Sequence, residues 1–392
     1  MASLWLKRIS AALALCLTLG VAGCKGGSTS DAETDETGTA QTSETTEESE
    51  PSKVGFIFNS DVDSGYTAQL NDQRLRAAEH SDIITCYIDN VSITDFEGAV
   101  KALSAEGCDY IVSASPVYDS SLTSIASKYM NISFIGLGRA TNSFNIYAAT
   151  AQPYQAAYAA GMTAAYNSES EKIGIVADPD MLYATPVVNA AALGMQLVYK
   201  DAVMSTAFAT KDSEVEAAVN ALVDEGCDVI ICYTESARTA DRCEELGVKY
   251  ISSLDCAADA SSRESLLMYF TTTYENFLLS QYKQIALHTW VSESYTGTTA
   301  NGCVNISAVQ PAAKDGTQDI ISALLPKLSN GSAYIFEGQL KDTSGTVRYM
   351  KNTAMTTEDI YSMTWYVQGV TVLDNFRQTI TDLPTNDFVI KY

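Results

Sequence analysis

One eight-residue pattern occurs twice in this chain and constrains its fold more than any other feature. The stretch AEGCDYIV spans residues 105–112, and DEGCDVII spans residues 224–231, 119 positions later. Two further pairs of segments keep the same offset without a gap: Lys53-Val-Gly-Phe-Ile-Phe-Asn59 with Lys172-Ile-Gly-Ile-Val-Ala-Asp178, and Ile132-Ser133 with Ile251-Ser252. Three segments that share one offset indicate an internal duplication.

Each copy follows the same order of strand, helix and strand. Apolar runs rich in valine and isoleucine open the copies at 54–58 and 173–177. Helical stretches with i, i+3 and i+4 apolar spacing end at Gly107 and Gly226, where a left-handed residue stops a helix. The strands that follow are apolar on both faces, which is typical of a parallel sheet covered by helices on both sides. The sequence therefore predicts an α/β protein with two doubly wound parallel-sheet lobes.

The N-terminus predicts export and lipid attachment. Two basic residues precede an apolar stretch at 9–22, which is shorter than the roughly 18 residues that a membrane-spanning helix needs. The stretch ends in Val21-Ala22-Gly23-Cys24, which resembles a bacterial lipobox, the signal whose cysteine receives diacylglycerol. We therefore predict a signal peptide over 1–23 and a lipid anchor on Cys24, at the extracytoplasmic face of a bacterial cell membrane. An ordinary secretory signal with an incidental cysteine is the alternative.

The segment after this cysteine is polar and acidic. Residues 25–52 contain eight acidic residues, one lysine and no large apolar side chain. Such a segment cannot bury enough apolar surface to offset the entropy of ordering it. We therefore predict a disordered tether over 24–52 that holds the folded body away from the membrane.

Charge and motif content argue against several classes of protein. The net charge of −24 argues against nucleic acid, which needs a basic face. The chain has only two histidines and lacks the HExxH, GKS/GKT, GxSxG and CxxC patterns of metal, phosphate, acyl-transfer and thiol sites. We therefore predict no catalytic residue, no metal site and no cofactor, with an exported hydrolase as a minor alternative. The repeated Cys108 and Cys227 are interpreted as small core residues.

Four comparable loops after the strands each present a tyrosine. Tyr66 and Tyr183 follow the leading strands of the two copies, and Tyr118 and Tyr233 follow the EGCD strands. Ligands of open parallel sheets bind beyond the carboxyl ends of the strands, so lobes that face each other would bring these rings to one cleft. Packing of each ring in its own loop is the alternative.

The order of several segments resembles a known family. The segments are KVGFIFNSDVDSGYT, YIVSASPVYDSSLTSIASKYMNISFIG, YQAAYAAGMTAAY, EGCDVIICYTES and SAYIFEGQLKDTSGTV. Together they are similar to the basic membrane protein family of ABC-transporter substrate-binding lipoproteins, which includes purine nucleoside receptors. The resemblance implies a type I periplasmic-binding-protein fold with a three-strand hinge. It implies an N-terminal lobe of 53–150 plus about 273–305, and a C-terminal lobe of 151–272 plus about 306–392.

The same resemblance implies partners and binding residues. It implies a monomer that delivers a nucleoside-like ligand to an ABC permease and its ATPase, without a cofactor. By position it assigns ligand contacts, in addition to the loop tyrosines, to the following residues: Asn71, Ser115, Phe208, Thr234 and Asp255. In the predicted closed form Tyr66 and Phe208 sandwich the base, and Asp255 accepts hydrogen bonds from sugar hydroxyls.

One departure from the family pattern concerns the sugar. Nucleoside-binding members have a lysine in the crossing strand, whereas this chain reads Met268-Tyr-Phe-Thr-Thr-Thr-Tyr274 there. The ligand alternatives therefore include a free base, a modified nucleoside or another small polar ring. A ligand-sensing surface lipoprotein that is not coupled to transport is the alternative to an import receptor.

Overall fold

The folded body begins just after the predicted tether. The computed structural model describes residues 51–63, 65–139, 141–181, 183–352, 354–377 and 388–392. The predicted signal peptide, the predicted lipidation site Cys24 and nearly all of the tether lie outside these residues. Residues 50–392 form one compact unit. No helix in the described ranges has the length and apolar character needed to cross a membrane.

Strands and helices alternate along most of the described chain. The strands are β1 (Ser52–Ile57), β2 (Ile83–Ile88), β3 (Tyr110–Ser113), β4 (Ser133–Leu137), β5 (Ile146–Ala151), β6 (Lys172–Ala177), β7 (Val203–Phe208), β8 (Val229–Tyr233), β9 (Lys249–Ser252), β10 (Leu266–Thr272), β11 (Ser294–Gly297), β12 (Val304–Ile306), β13 (Gly338–Lys341), β14 (Val347–Lys351) and β15 (Val370–Val372). The α-helices are α1 (Gly65–Glu79), α2 (Phe96–Ala105), α3 (Asp119–Ala126), α4 (Tyr154–Asn167), α5 (Ala184–Val198), α6 (Asp212–Asp224), α7 (Arg238–Leu246), α8 (Glu275–Ala286), α9 (Thr317–Ser329) and α10 (Thr357–Tyr361).

The strands form two large sheets of matching topology. The first sheet has the order β2-β1-β3-β4-β5-β11, and all its pairings are parallel. The second has the order β15-β7-β6-β8-β9-β10-β12, parallel except for the β10–β12 pair. Strands β13 and β14 form a separate antiparallel hairpin. The predicted α/β class with two doubly wound sheets is confirmed, and the sheets share the inner order 2-1-3-4-5 when each is numbered from its own first strand.

The two copies of the repeat also pack in the same way. In β1, Val54 and Phe56 are buried on one face and Ile57 on the other, so both faces are covered. A Cβ on Gly55 would lie 2.8 Å from the side chain of Leu103 in α2. In the second copy a Cβ on Gly174 would lie 3.1 Å from Leu222 in α6. Both residues of this contact are offset by 119 positions, so the duplication preserves the glycine that lets a helix approach the leading strand.

The predicted core cysteines lie in these packed layers. Cys108 and Cys227 are both buried, and neither forms a disulfide. The other cysteines in the described ranges are also buried free thiols.

Between β1 and β12 the described chain crosses between the two sheets three times. The crossings lie between β5 and α4, between β10 and α8, and between β11 and β12. They run side by side, since β5 pairs with β11 and β10 pairs with β12. Three adjacent crossings form the hinge of a two-lobed protein, as the resemblance implies.

The last residues of the chain pair with the first sheet. Lys391 exchanges two backbone hydrogen bonds with Tyr87 of β2, at 2.7 and 2.9 Å. The Lys391 ammonium also lies 3.0 Å from the carboxylate of Asp89. The resemblance implies a C-terminal lobe that includes about 306–392, whereas residues 388–392 contact the edge of the first sheet.

Candidate functional site

A cavity lies where the strand ends of the two sheets face each other, and we call it the central cavity. This is the edge of an open α/β sheet at which ligands bind. Residues that follow β1, β3 and β4 line it from the first sheet: Asn59, Tyr66, Thr67, Ser115, Pro116 and Gly138. Residues that end or follow β6, β8 and β10 line it from the second: Asp180, Met181, Tyr233, Glu235, Thr272 and Tyr274.

Glu235 joins the two sides of the central cavity. It follows β8 of the second sheet, yet its backbone oxygen accepts the N–H of Tyr66 in α1 at 3.0 Å. Its carboxylate accepts the hydroxyl of Ser60 at 2.9 Å and the hydroxyl of Thr67. The carboxylate therefore lies at the N-terminal turn of α1, where the helix dipole stabilises negative charge. This contact closes one side of the cavity.

Gly65 makes this close approach possible. It is the first residue of α1 and has a φ of +67°, in the left-handed region that glycine adopts readily. A Cβ at this position would lie 1.9 Å from the backbone oxygen of Glu235. No residue with a side chain fits here while the two sides touch.

The second sheet contributes a group of acids to the site. Asp180 and Glu235 line the central cavity, and Asp178, directly after β6, is fully buried beside them. Burial is the largest cause that raises the pKa of all three carboxyls. The charge of Glu235 further raises the pKa of Asp178. The charge of Asp180 likewise raises the pKa of Glu235, whereas hydrogen bonds from the Thr67 and Ser60 hydroxyls lower the pKa of Glu235. None of the described lining residues is lysine, arginine or histidine.

Three tyrosines form the aromatic part of the lining. Tyr66 comes from α1, Tyr233 ends β8, and Tyr274 follows β10 in the second crossing. Tyr233 stacks on Phe270, with ring centroids 6.3 Å apart and planes 12° apart. The buried hydroxyl of Tyr274 has no hydrogen-bond partner among the described residues. Burial raises the pKa of each of these phenols, so all three hydroxyls keep their protons and can donate hydrogen bonds.

A larger recess adjoins the central cavity and shares Pro116, Asp180 and Met181 with it. The central cavity holds about 30 Å³ of free space and the recess about 240 Å³. Tyr183 lines the recess and stacks on Tyr361, with ring centroids 3.8 Å apart. In this structure the central cavity alone therefore has room for only a few water molecules.

The hydroxyl of Tyr183 connects the two sheets. It accepts a hydrogen bond from Thr150 and donates one to the backbone oxygen of Gly138, both at 2.9 Å. Its backbone is left-handed, with a φ of 53°, which is uncommon for a residue other than glycine.

The structure brings part of the predicted site together. Tyr66, Ser115 and Tyr233 line the central cavity, and Tyr183 lines the adjoining recess. The Ser115 hydroxyl also accepts the N–H of Val117 at 3.4 Å and so holds the turn after β3.

Three other predicted residues are packed inside their own halves. Tyr118 stacks on Phe96 with centroids 4.3 Å apart, and its hydroxyl donates to the backbone oxygen of Val91 at 2.6 Å. Phe208 is buried, with its ring centroid 5.9 Å from that of Tyr366. Thr234 is buried, and its hydroxyl lies 2.7 Å from that of Thr239. None of the three lines the central cavity.

The last two predicted residues lie outside the central cavity as well. Asn71 accepts a hydrogen bond from the guanidinium of Arg74 at 2.9 Å. Asp255 lines a separate surface recess, where its backbone N–H and C=O bond the side chain of Gln69 at 3.0 and 3.2 Å. This second contact between the halves uses the backbone of Asp255 and leaves its carboxylate for the N–H of Ala257.

The duplication contains a signal for lining residues that were not predicted. Asn59 and Asp178 are 119 positions apart, as are Asp61 and Asp180, and all four lie in the loops that follow the leading strands. Glu235 is likewise the counterpart of Pro116, which lines the cavity from the opposite side. Applying the offset to polar residues after each strand would have selected Asp180, whereas Glu235 has a proline as its counterpart and is not found in this way.

Comparison with known families places this geometry in context. Residues 52–339 match the model of the Bmp family, described as ABC transporter substrate-binding proteins that are PnrA-like. The chain belongs to the Bmp family. The resemblance described from the sequence is therefore confirmed. The Bmp family consists of extracytoplasmic solute-binding proteins rather than enzymes, so the chain is a substrate-binding protein of an ABC system.

Individual relatives of this Bmp-family chain are distant. A purine-binding protein of Brucella abortus is 22% identical over 331 residues, which cover 82% of this chain and 93% of the relative. A candidate ABC transporter glucose-binding protein of Haloferax volcanii is 22% identical over 318 residues, 80% of each chain. The solved structure of an ABC transporter solute-binding protein from Conexibacter woesei superposes with a TM-score of 0.58 at 18% identity, covering 72% of this chain and 97% of that one. This likeness supports the type I periplasmic-binding fold.

Proposed function

We propose that this protein is the lipid-anchored receptor of an ABC importer and that it captures a nucleoside-like ligand, a purine nucleoside or base. The ligand enters between the two sheets, and a permease and ATPase receive it. One observation carries the proposal: loops from six strand ends converge on a tyrosine-lined cavity, and this cavity is closed by contacts between the two halves. The Brucella relative that is named purine-binding supports a purine.

The geometry indicates how such a ligand would be held. A flat ring would lie in the central cavity against Tyr66 and Tyr233, since stacking of a base on an aromatic side chain contributes about 1–3 kcal/mol. The remainder would occupy the adjoining recess beside Tyr183. Met181 lies in the wall between the two spaces, and its unbranched side chain can change rotamer without disturbing the strands.

A thermal-shift screen tests the ligand class. We expect purine nucleosides or bases to raise the melting temperature in a concentration-dependent manner, because a ligand that binds only the folded state stabilises it. Glucose belongs in the screen, because the Haloferax relative makes a sugar the second candidate. No shift with any purine or pyrimidine compound would contradict the proposal, and a shift with glucose alone would replace it.

The role of Tyr66 is tested by replacing it with alanine. We expect Tyr66→Ala to weaken binding of the best ligand from the screen about tenfold or more, since it removes a stacking surface. Tyr334→Ala serves as the control, because Tyr334 is exposed and does not line the central cavity. Equal affinities of the two variants in isothermal titration calorimetry would exclude Tyr66 from the site.

The anchor requires its own test. Cys24→Ser should abolish incorporation of a fatty-acid label and release the protein from the membrane fraction, because the serine hydroxyl does not accept the lipid. Labelled Cys24→Ser protein would contradict lipidation at this residue.

A further inference from the structure

We propose that the central cavity selects a heteroaromatic ring that carries a positive charge. This inference rests on the proposed function, since it names the kind of nucleoside-like ligand that the same site takes. A ring that is cationic near neutral pH, such as that of 1-methyladenosine, has the required chemistry, whereas an uncharged or phosphorylated ring does not.

The first argument is the charge of the lining. Asp180 and Glu235 lie in the wall and Asp178 lies directly behind it, while the described lining contains no cationic side chain. The ion pairs found among the described residues all use other carboxylates. Buried carboxylates without a cation are unfavourable, and a ligand that brings the cation relieves this.

The second argument is that protein contacts leave these acids incompletely satisfied. The Oδ1 atom of Asp178 accepts the N–H of Asp180 at 2.9 Å, but its buried Oδ2 has no hydrogen-bond partner in the described part of the chain. Glu235 is bonded by two hydroxyl groups, which do not neutralise its charge. Burial correspondingly raises the pKa of all three carboxyls.

The third argument is independent of the acids and concerns the walls. Tyr274 is 1% exposed and lines the cavity, and its hydroxyl has no partner within the described ranges. Together with Tyr66 and Tyr233 it forms an aromatic surface, and the negative face of such a ring attracts cations. A small cation without a ring would leave most of this aromatic surface without a stacking partner. A flat cationic ring uses both the tyrosines and the carboxylates.

Asp180 is the residue to test, because it lines both the central cavity and the adjoining recess. Its duplication counterpart, Asp61, is exposed and does not line the cavity. The two residues are 119 positions apart, the offset of the duplication. Asp180→Asn and Asp61→Asn therefore change the same chemical group in equivalent positions, one inside and one outside the site.

The experiment compares four probes by titration calorimetry on the exported protein without its signal peptide. 1-Methyladenosine is cationic near neutral pH, and 1-methylinosine carries the same methyl group and ribose without the charge. Adenosine and inosine are the unmethylated pair. We expect 1-methyladenosine to bind about tenfold or more tightly than 1-methylinosine, with a smaller difference between adenosine and inosine. Asp180→Asn should remove most of this preference, and Asp61→Asn should keep it.

The outcomes separate this inference from the proposed function. Measurable binding of all four probes with no preference for the cation would overturn the charge selectivity and leave a nucleoside receptor. Failure of all four to bind would overturn both. A preference of unchanged size in Asp180→Asn would overturn the assignment to this carboxylate. The wild-type comparison decides the selectivity even if a variant does not fold.

Discussion

Replacing Gly65 with alanine perturbs the contact between the two halves at a single point. The new Cβ would lie 1.9 Å from the backbone oxygen of Glu235, and ordinary contact begins at 3.4 Å. The two sides must therefore part by about 1.5 Å (3.4 − 1.9) at this point. The N–H of Tyr66 now lies 3.0 Å from that oxygen, so a shift of this size breaks the hydrogen bond.

The magnitude follows from the bonds that converge on Glu235. A neutral hydrogen bond contributes about 0.5–1.5 kcal/mol and a bond to a charged group about 1.5–3 kcal/mol. Losing the Tyr66 bond and one hydroxyl bond to the carboxylate would destabilise the closed form by about 2–4.5 kcal/mol. If the ligand binds only when the two sides close, its affinity falls about 30-fold or more.

Gly247 provides the matched control for Gly65. Its φ of +64° is nearly the same as the +67° of Gly65, but a Cβ at position 247 would have no atom within 4 Å. Both alanine variants carry the strain of a left-handed residue, about 1–2 kcal/mol, so both should unfold at lower temperature than the wild type. Only Gly65→Ala should also weaken binding of the best nucleoside in calorimetry and enlarge the radius of gyration in X-ray scattering. Equal affinity and scattering for the two variants would refute the role of this contact in closure.

Two further predictions concern buried titratable groups. Burial raises the pKa of Asp178 above its ordinary value of 3.8, so the folded state binds this proton more tightly than the unfolded chain does. The stability that this proton provides is present at low pH and is lost as the pH rises through the raised pKa. The melting temperature of Asp178→Asn should therefore fall less between about pH 4 and pH 7 than that of the wild type. Parallel plots of melting temperature against pH for the two proteins would contradict this. Burial also raises the pKa of the Cys303 thiol to about 12, and all seven described cysteines are buried. Ellman's reagent should therefore react with these thiols only after unfolding in guanidinium, and rapid labelling of the native protein would contradict the packing.

The repeat in the sequence predicted the scaffold because strand patterns and helix stops are local. Residues 54–57 are apolar on both faces, and their counterparts 173–176 repeat this pattern, so a buried parallel strand follows in each copy. The glycine that ends each EGCD helix adopts a φ near +90°, as a helix stop requires. These features depend on neighbours in the chain, and the sequence displays them directly.

The direction in which a loop side chain points could not be predicted from the local sequence pattern. Tyr118 and Ser115 lie three residues apart in one loop, yet Ser115 lines the cavity while Tyr118 turns back onto Phe96. The turn at Pro116–Tyr118 decides this, and the Tyr118 hydroxyl finds its acceptor on Val91, 27 residues earlier. Similarly, Tyr274 enters the cavity because the chain crosses between the sheets directly after β10. Such directions depend on tertiary contacts that no spacing pattern encodes.

The duplication also explains why the two sides of the cavity had to diverge. If the two copies were identical, the same side chains would face each other across the cavity. Two carboxylates in such positions repel each other, and two hydroxyls form no ion pair. In this chain the first copy contributes Ser60 and Thr67 as donors, and the second contributes the Glu235 carboxylate as their acceptor. The counterpart of Glu235 in the first copy is Pro116, which has no charge and no N–H. One scaffold used twice thus acquires a donor side and an acidic side, and the two walls of the central cavity are chemically different.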